Sequence, residues 1–195
     1  MMNRAISAAA IVIALGIMMF YFGSQNKTSG IVGEVHEHAD FRVYINNEPY
    51  NFSQEKYMST DSKTLSNFMH LHDMEGSVIH KHAEGITLGF FFRSLNMNFN
   101  STCFALDNGS SYCNTDSSRL RMFINGQQSN AYGEYDLKDL DKILITYGSA
   151  VQDTTIQINS VADNACIYSG KCPQRGLPPD EASCFSGTGC SVEGA

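Results

Sequence analysis

The sequence predicts an α+β fold: a sheet with one helix on one face, a membrane-spanning helix before it and a disulfide-rich loop tail after it. Three observations carry this. The stretch "HADFRVYINNEPYNF" (38–52) alternates in polarity as a half-buried strand does. "GITLGFFFRSLNM" (85–97) repeats apolar residues at helical spacing. Ala5 to Phe22 is uncharged and mainly apolar, while residues 166–195 hold four of the six cysteines.

The apolar run at the N-terminus is about the length a helix needs to cross a bilayer. A cleaved signal peptide is the alternative. The run ends in "MMFYFGSQN", with interfacial aromatics and no small-x-small cleavage site, which favours a retained anchor over residues 1–22. Arg4 precedes the span, so the positive-inside rule places the N-terminus in the cytoplasm and the rest outside. Residues 23–34, rich in Gly, Ser and Asn, read as a linker. A folded domain is expected over 35–148 and a Cys-rich tail over 149–195.

Within the domain, Ala39, Phe41, Val43 and Ile45 share one face of the first strand, and His38, Asp40, Arg42 and Tyr44 the other. "NN" (46–47) then makes a hairpin turn. "QEKYMSTDSKTLSN" (54–67) is polar and reads as a loop. In the helix Thr87 can cap, and Leu88, Phe91, Phe92 and Leu95 form the apolar stripe. Cys103 and Cys113 flank a "DNGS" turn and are expected to pair. "RLRMFINGQQ" (119–128) is a strand entering an Asn-Gly turn, and Ile143 to Tyr147 is an apolar strand.

The chain of 195 residues is long enough for one core of ordinary size. Its formal charge of -7, with no basic run, argues against a nucleic-acid partner. It has no Gly-x-Ser-x-Gly elbow, P-loop or dinucleotide fingerprint.

All six histidines sit in three His-x-His pairs: His36/His38, His70/His72 and His80/His82. In a strand, residues i and i+2 point to the same face, so each pair sets two imidazoles side by side. "DMEG" (73–76) reads as a type I turn with Gly76 in the left-handed position of a G1 bulge. That register pairs His70 with His80 and puts all four hairpin histidines on one face, opposite Met69, Leu71 and Ile79. His36 and His38 continue the same polar face, expected to be open. Imidazole clusters suit zinc, copper and nickel better than calcium or magnesium, so Cu(II) or Zn(II) is the expected cofactor. Glu37, Asp40, Asp73 and Glu84 are carboxylates able to complete the site or to orient an imidazole. The alternative is a polar face that meets a protein partner.

The tail offers Cys166, Cys172, Cys184 and Cys190, which allow three pairings, the nearest-neighbour set being slightly preferred. Outside the cytoplasm they read as structural disulfides, with a redox-active pair or a thiolate metal site as the alternatives. No Cys-x-x-Cys is present to suggest thioredoxin-like chemistry.

From 69 to 148 the expected order is hairpin, helix, hairpin-like pair and final strand. Through "TLGFFFRSL", "LRMFINGQ" and "LKDLDKILITYG" this resembles the β-grasp, or ubiquitin-like, fold with its mixed sheet, and looks like the sulfur-carrier proteins of molybdopterin and thiamin synthesis. Those carriers end in a free Gly-Gly, whereas Gly148 is followed by Ser149 and a long tail, so sulfur transfer is not implied. The region after the anchor also resembles small membrane-anchored archaeal proteins with a "HEHADF…HLHD…IHKHAEG…TLG" pattern. These are sometimes labelled protein-disulfide isomerase, which implies a thiol-disulfide oxidoreductase as the rival to a metal-binding protein.

Overall fold

The computed structural model describes residues 32–33, 35–60 and 63–178. The expected anchor, almost all of the expected linker, Cys184 and Cys190 lie outside them. Among the described residues no helix is long and apolar enough to cross a membrane.

The first alternating stretch forms β1 (Glu37–Ile45), with Ala39, Phe41 and Val43 buried in the main core. Asn46 and Asn47, at φ of 52° and 72°, turn it into β2 (Glu48–Pro49). Asn is among the few residues that enter this left-handed region readily. β3 (Met69–His70) and β4 (Val78–Lys81) carry the central histidines. β8 (Ser118–Ile124) and β9 (Gln127–Ser129) flank the expected Asn-Gly turn, with Asn125 and Gly126 at φ of 52° and 80°, and β10 (Lys142–Ser149) is the last strand. One sheet runs β3-β4-β1-β10-β8-β9, with β2 also on β1. β1 and β10 lie parallel at its centre, and the other pairs are antiparallel. The parallel partner of the last strand therefore precedes residue 69.

The helix α1 (Leu88–Ser94) buries Leu88, Phe91 and Phe92 in the main core, as its stripe predicts, and Leu95 follows them. Thr87 occupies the cap position in extended conformation, but its side chain makes no capping bond. The Leu88 N–H is taken instead by the Tyr135 carbonyl, 2.8 Å away. A second, three-stranded sheet of β5 (Asn98–Phe99), β6 (Cys103–Ala105) and β7 (Ser111–Cys113) adds Phe99 and Phe104 to the same core. Cys103 and Cys113 are cross-strand partners there and form the expected disulfide.

The other face of the main sheet differs from expectation. Rather than standing open, it is covered by residues after β10. They form two short helices, α2 (Thr155–Asn159) and α3 (Ala165–Tyr168), joined by loops. Asp40, on the outward face of β1, accepts the backbone N–H groups of Asn164 and Ala165 at 2.8 and 3.1 Å, so a carboxylate from the sheet caps the start of α3. Burial nevertheless lifts the Asp40 carboxyl above its ordinary range, against those two bonds. Tyr44 bonds Ser160 through their hydroxyls at 2.8 Å, and Ile158 and Val161 pack on Tyr44, Phe123 and Leu144. Cys166 pairs with Cys172, the nearest-neighbour bridge, and staples α3 to the segment after it.

Beside the core, Lys81 is fully buried. Its ammonium lies 2.6 Å from Glu37 and 2.7 Å from Asp136, and donates to the Leu137 carbonyl at 2.9 Å. Glu37 thus serves Lys81 on the sheet face opposite the histidines.

Candidate metal centre

Strand register assembles the centre. His38 of β1 lies opposite His80 of β4, and His80 lies opposite His70 of β3, so three imidazoles form one row across three strands. The Glu37–Lys81 pair points the other way, which brings His36 and His82 onto the histidine face in the next row. His72 lies beyond β3 and leans back onto His80, their ring centroids 3.9 Å apart. Successive contacts join all six rings: His36–His38 at 4.6 Å, His36–His82 at 4.9 Å, His38–His80 at 4.8 Å and His70–His82 at 5.0 Å. The face expected from sequence is therefore shared by all six.

The turn that delivers His72 is not the one expected. Asp73 and Met74 carry φ of 55° and 59°, and the Glu75 N–H bonds the His72 carbonyl, as in a type I′ turn. Gly76 is needed for another reason: a Cβ there would stand 2.3 Å from the Ser53 backbone nitrogen. The β3–β4 ladder ends at His70–His80, because Leu71 bridges Met58 instead of Ile79. The histidine face survives this change since the alternation along β3 continues through His72.

His36 is exposed, while the other five histidines are at most 4 % exposed. The ligand nitrogens of His36, His38 and His80 lie within 4.8 Å of one another, so this trio could hold a metal ion with His36 at the solvent side.

Hydrogen bonds around the cluster set the tautomers. His70 Nδ1 lies 2.8 Å from the Ser66 carbonyl and His72 Nδ1 lies 2.7 Å from Asp73 Oδ2. Both partners only accept, so both Nδ1 atoms carry the proton. In the neutral ring His72 Nε2 then accepts from His80 Nδ1, at 3.1 Å. Ser169 Oγ donates to Asp139 at 2.5 Å and so accepts from His38 Nδ1 at 2.8 Å. His38, His70, His72 and His80 are all held with the proton on Nδ1 and the lone pair on Nε2. Metal-ligating histidines are oriented this way by an acceptor on the ring nitrogen that does not bind the ion, here an oxygen for His38 and His70 and the His72 ring for His80.

Of the four carboxylates the sequence offers, only Asp73 reaches a histidine. Glu37 pairs with Lys81, Asp40 caps α3, and Glu84 is exposed. Sequence reasoning missed Asp139, Ser169 and Tyr168. The Tyr168 ring covers the cluster from α3, its centroid 4.9 Å from His80 and 5.7 Å from His38. No local pattern marks these residues, because Ser169 is 131 positions from the histidine it touches.

Both disulfides among the described residues are closed, and no described cysteine is free. No family model, curated protein or solved structure matches the chain.

Proposed function

We propose that this chain binds a transition-metal ion, Cu(II) or Zn(II), through its histidine cluster, as a membrane-anchored protein whose folded domain lies outside the cytoplasm. The observation that carries the reading is the convergence of all three His-x-His pairs into one ring cluster, with three ligand nitrogens within 4.8 Å. Burial of five of the six favours an ion over a protein partner as the occupant of this face, since a docking surface must be reachable. Imidazole-only donors suit both metals: Cu(II) by affinity order, Zn(II) by its tetrahedral habit.

The anchor and the extracytoplasmic location rest on residues 1–22 and Arg4. The central parallel pair of β1 and β10, with α1 on one face, supports the likeness to β-grasp domains. The likeness to small archaeal membrane-anchored proteins rests on the histidine motifs themselves. Sequestration or delivery of the ion at the cell surface is the role that fits such an arrangement.

Protons compete with metal for imidazole. Affinity for Zn(II), followed by competition with a chromophoric chelator, is expected to fall steeply between about pH 7 and pH 5. More than one proton should be taken up per ion released. Affinity that stays flat over this range would contradict a histidine site.

A further inference from the structure

We propose that Asp73 and Asp139 are charge-balancing positioning residues that bias the histidine centre toward divalent over monovalent ions. The proposal rests on the metal-binding reading and goes further, to the charge of the ion. Two relays of the same form run into the cluster. In one, His80 Nδ1 donates to His72 Nε2 at 3.1 Å, and His72 Nδ1 donates to Asp73 Oδ2 at 2.7 Å. In the other, His38 Nδ1 donates to Ser169 Oγ at 2.8 Å, and Ser169 donates to Asp139 Oδ1 at 2.5 Å. Each relay starts on a buried member of the ligand trio and ends, one group further out, on a carboxylate.

The trio itself is neutral. A dication placed among His36, His38 and His80 meets no anionic ligand from them, and burying uncompensated charge is costly. Two carboxylates at the outer ends of the relays supply two negative charges without entering the coordination sphere. Metal binding at Nε2 draws electron density from the ring and strengthens the Nδ1–H bond outward, so each relay responds to the charge of the ion. The electrostatic part of this response scales with that charge, and a monocation draws about half as much as a dication. His72 acts within this scheme as the middle of a relay, not as one of the three ligands. Asp139 also accepts the His38 backbone N–H at 3.1 Å, fixing both main chain and side chain of one ligand.

The test compares Zn(II) with Ag(I) on the full chain, by competition with chelators of known affinity. The variants are Asp73→Asn, Asp139→Asn and Ser169→Ala. Asn tolerates the left-handed backbone at position 73. Ser169→Ala breaks the second relay while leaving Asp139 bonded to the His38 backbone. Each variant is expected to lose about 10- to 100-fold in Zn(II) affinity. The loss for Ag(I) should be about the square root of that, roughly 3- to 10-fold. Equal losses for both ions would reduce the relays to steric supports and overturn the proposal, as would unchanged Zn(II) affinity. A parent chain that binds neither ion would instead defeat the metal-binding reading itself.

Discussion

Replacing His38 and His80 together with Ala is expected to lower Zn(II) or Cu(II) affinity by on the order of a thousandfold or more, about 4 kcal/mol. These two residues are the buried members of the only trio of His, Cys, Asp or Glu among the described residues whose ligand atoms converge. Their removal leaves only His36 of the trio and cuts both relays at their inner ends. Because both side chains are buried, the double variant is also expected to lose stability, which could by itself blur a loss of binding. His36→Ala separates the two effects. His36 is exposed, so its replacement should leave stability within about 0.5 kcal/mol while still weakening the metal. Titration of both variants, with unfolding curves alongside, checks this. Full retention of affinity in His36→Ala and in the double variant would place the site elsewhere.

Lys81→Met is expected to destabilise the fold by about 3–5 kcal/mol, the usual loss when one partner of a buried ion pair is removed. The ammonium is fully buried and lies against two carboxylates, Glu37 and Asp136, and the Leu137 carbonyl. Methionine fills similar volume, so the loss comes from charge rather than from a cavity. The pH dependence gives an independent sign. Burial alone would raise the Asp136 carboxyl, but the bond to Lys81, the Lys81 charge and the smaller effect of Lys138 together outweigh it and hold the carboxyl below the ordinary range. A carboxyl depressed in the folded state adds stability above its unfolded value, about pH 4, and loses it as pH falls through the lower folded value. The parent chain should therefore lose this contribution below about pH 4, and Lys81→Met should lack that part of the acid dependence. Urea unfolding across pH measures both. A variant within 1 kcal/mol of the parent would show that the buried cluster contributes little net stability.

The parts of the fold that follow from short-range rules were legible in the sequence. Alternation in 38–45 gave the inward set Ala39, Phe41 and Val43, and the Asn-Asn and Asn-Gly turns lie where positive φ is required. The i, i+2 spacing set the two histidines of each pair on one face, and strand register, which pairs His38 with His80 and His80 with His70, brings the three pairs together. Long-range features were not legible. The tail lacks a long apolar run, so nothing local announced that Asp40 would cap α3 or that Ser169 would bond His38, contacts that span 124 and 131 positions. The turn at 73–76 was misread because Gly76 suggested a left-handed residue, whereas close packing on Ser53 is what requires glycine there. Part of the burial of the face expected to be open has the same origin: Tyr168, which lies over His38, His72 and His80, comes from the far end of the chain. That burial turns a row of surface imidazoles into one with fixed tautomers and outer carboxylates.

The histidine cluster is proposed as a metal centre. Its most direct test is elemental analysis of the full chain, produced without a polyhistidine tag, followed by titration of the metal-stripped protein with Zn(II) and Cu(II). The expected result is about one transition-metal ion per chain, bound saturably and retained through gel filtration. A chain that elutes without transition metal and shows no saturable uptake of either ion would contradict it.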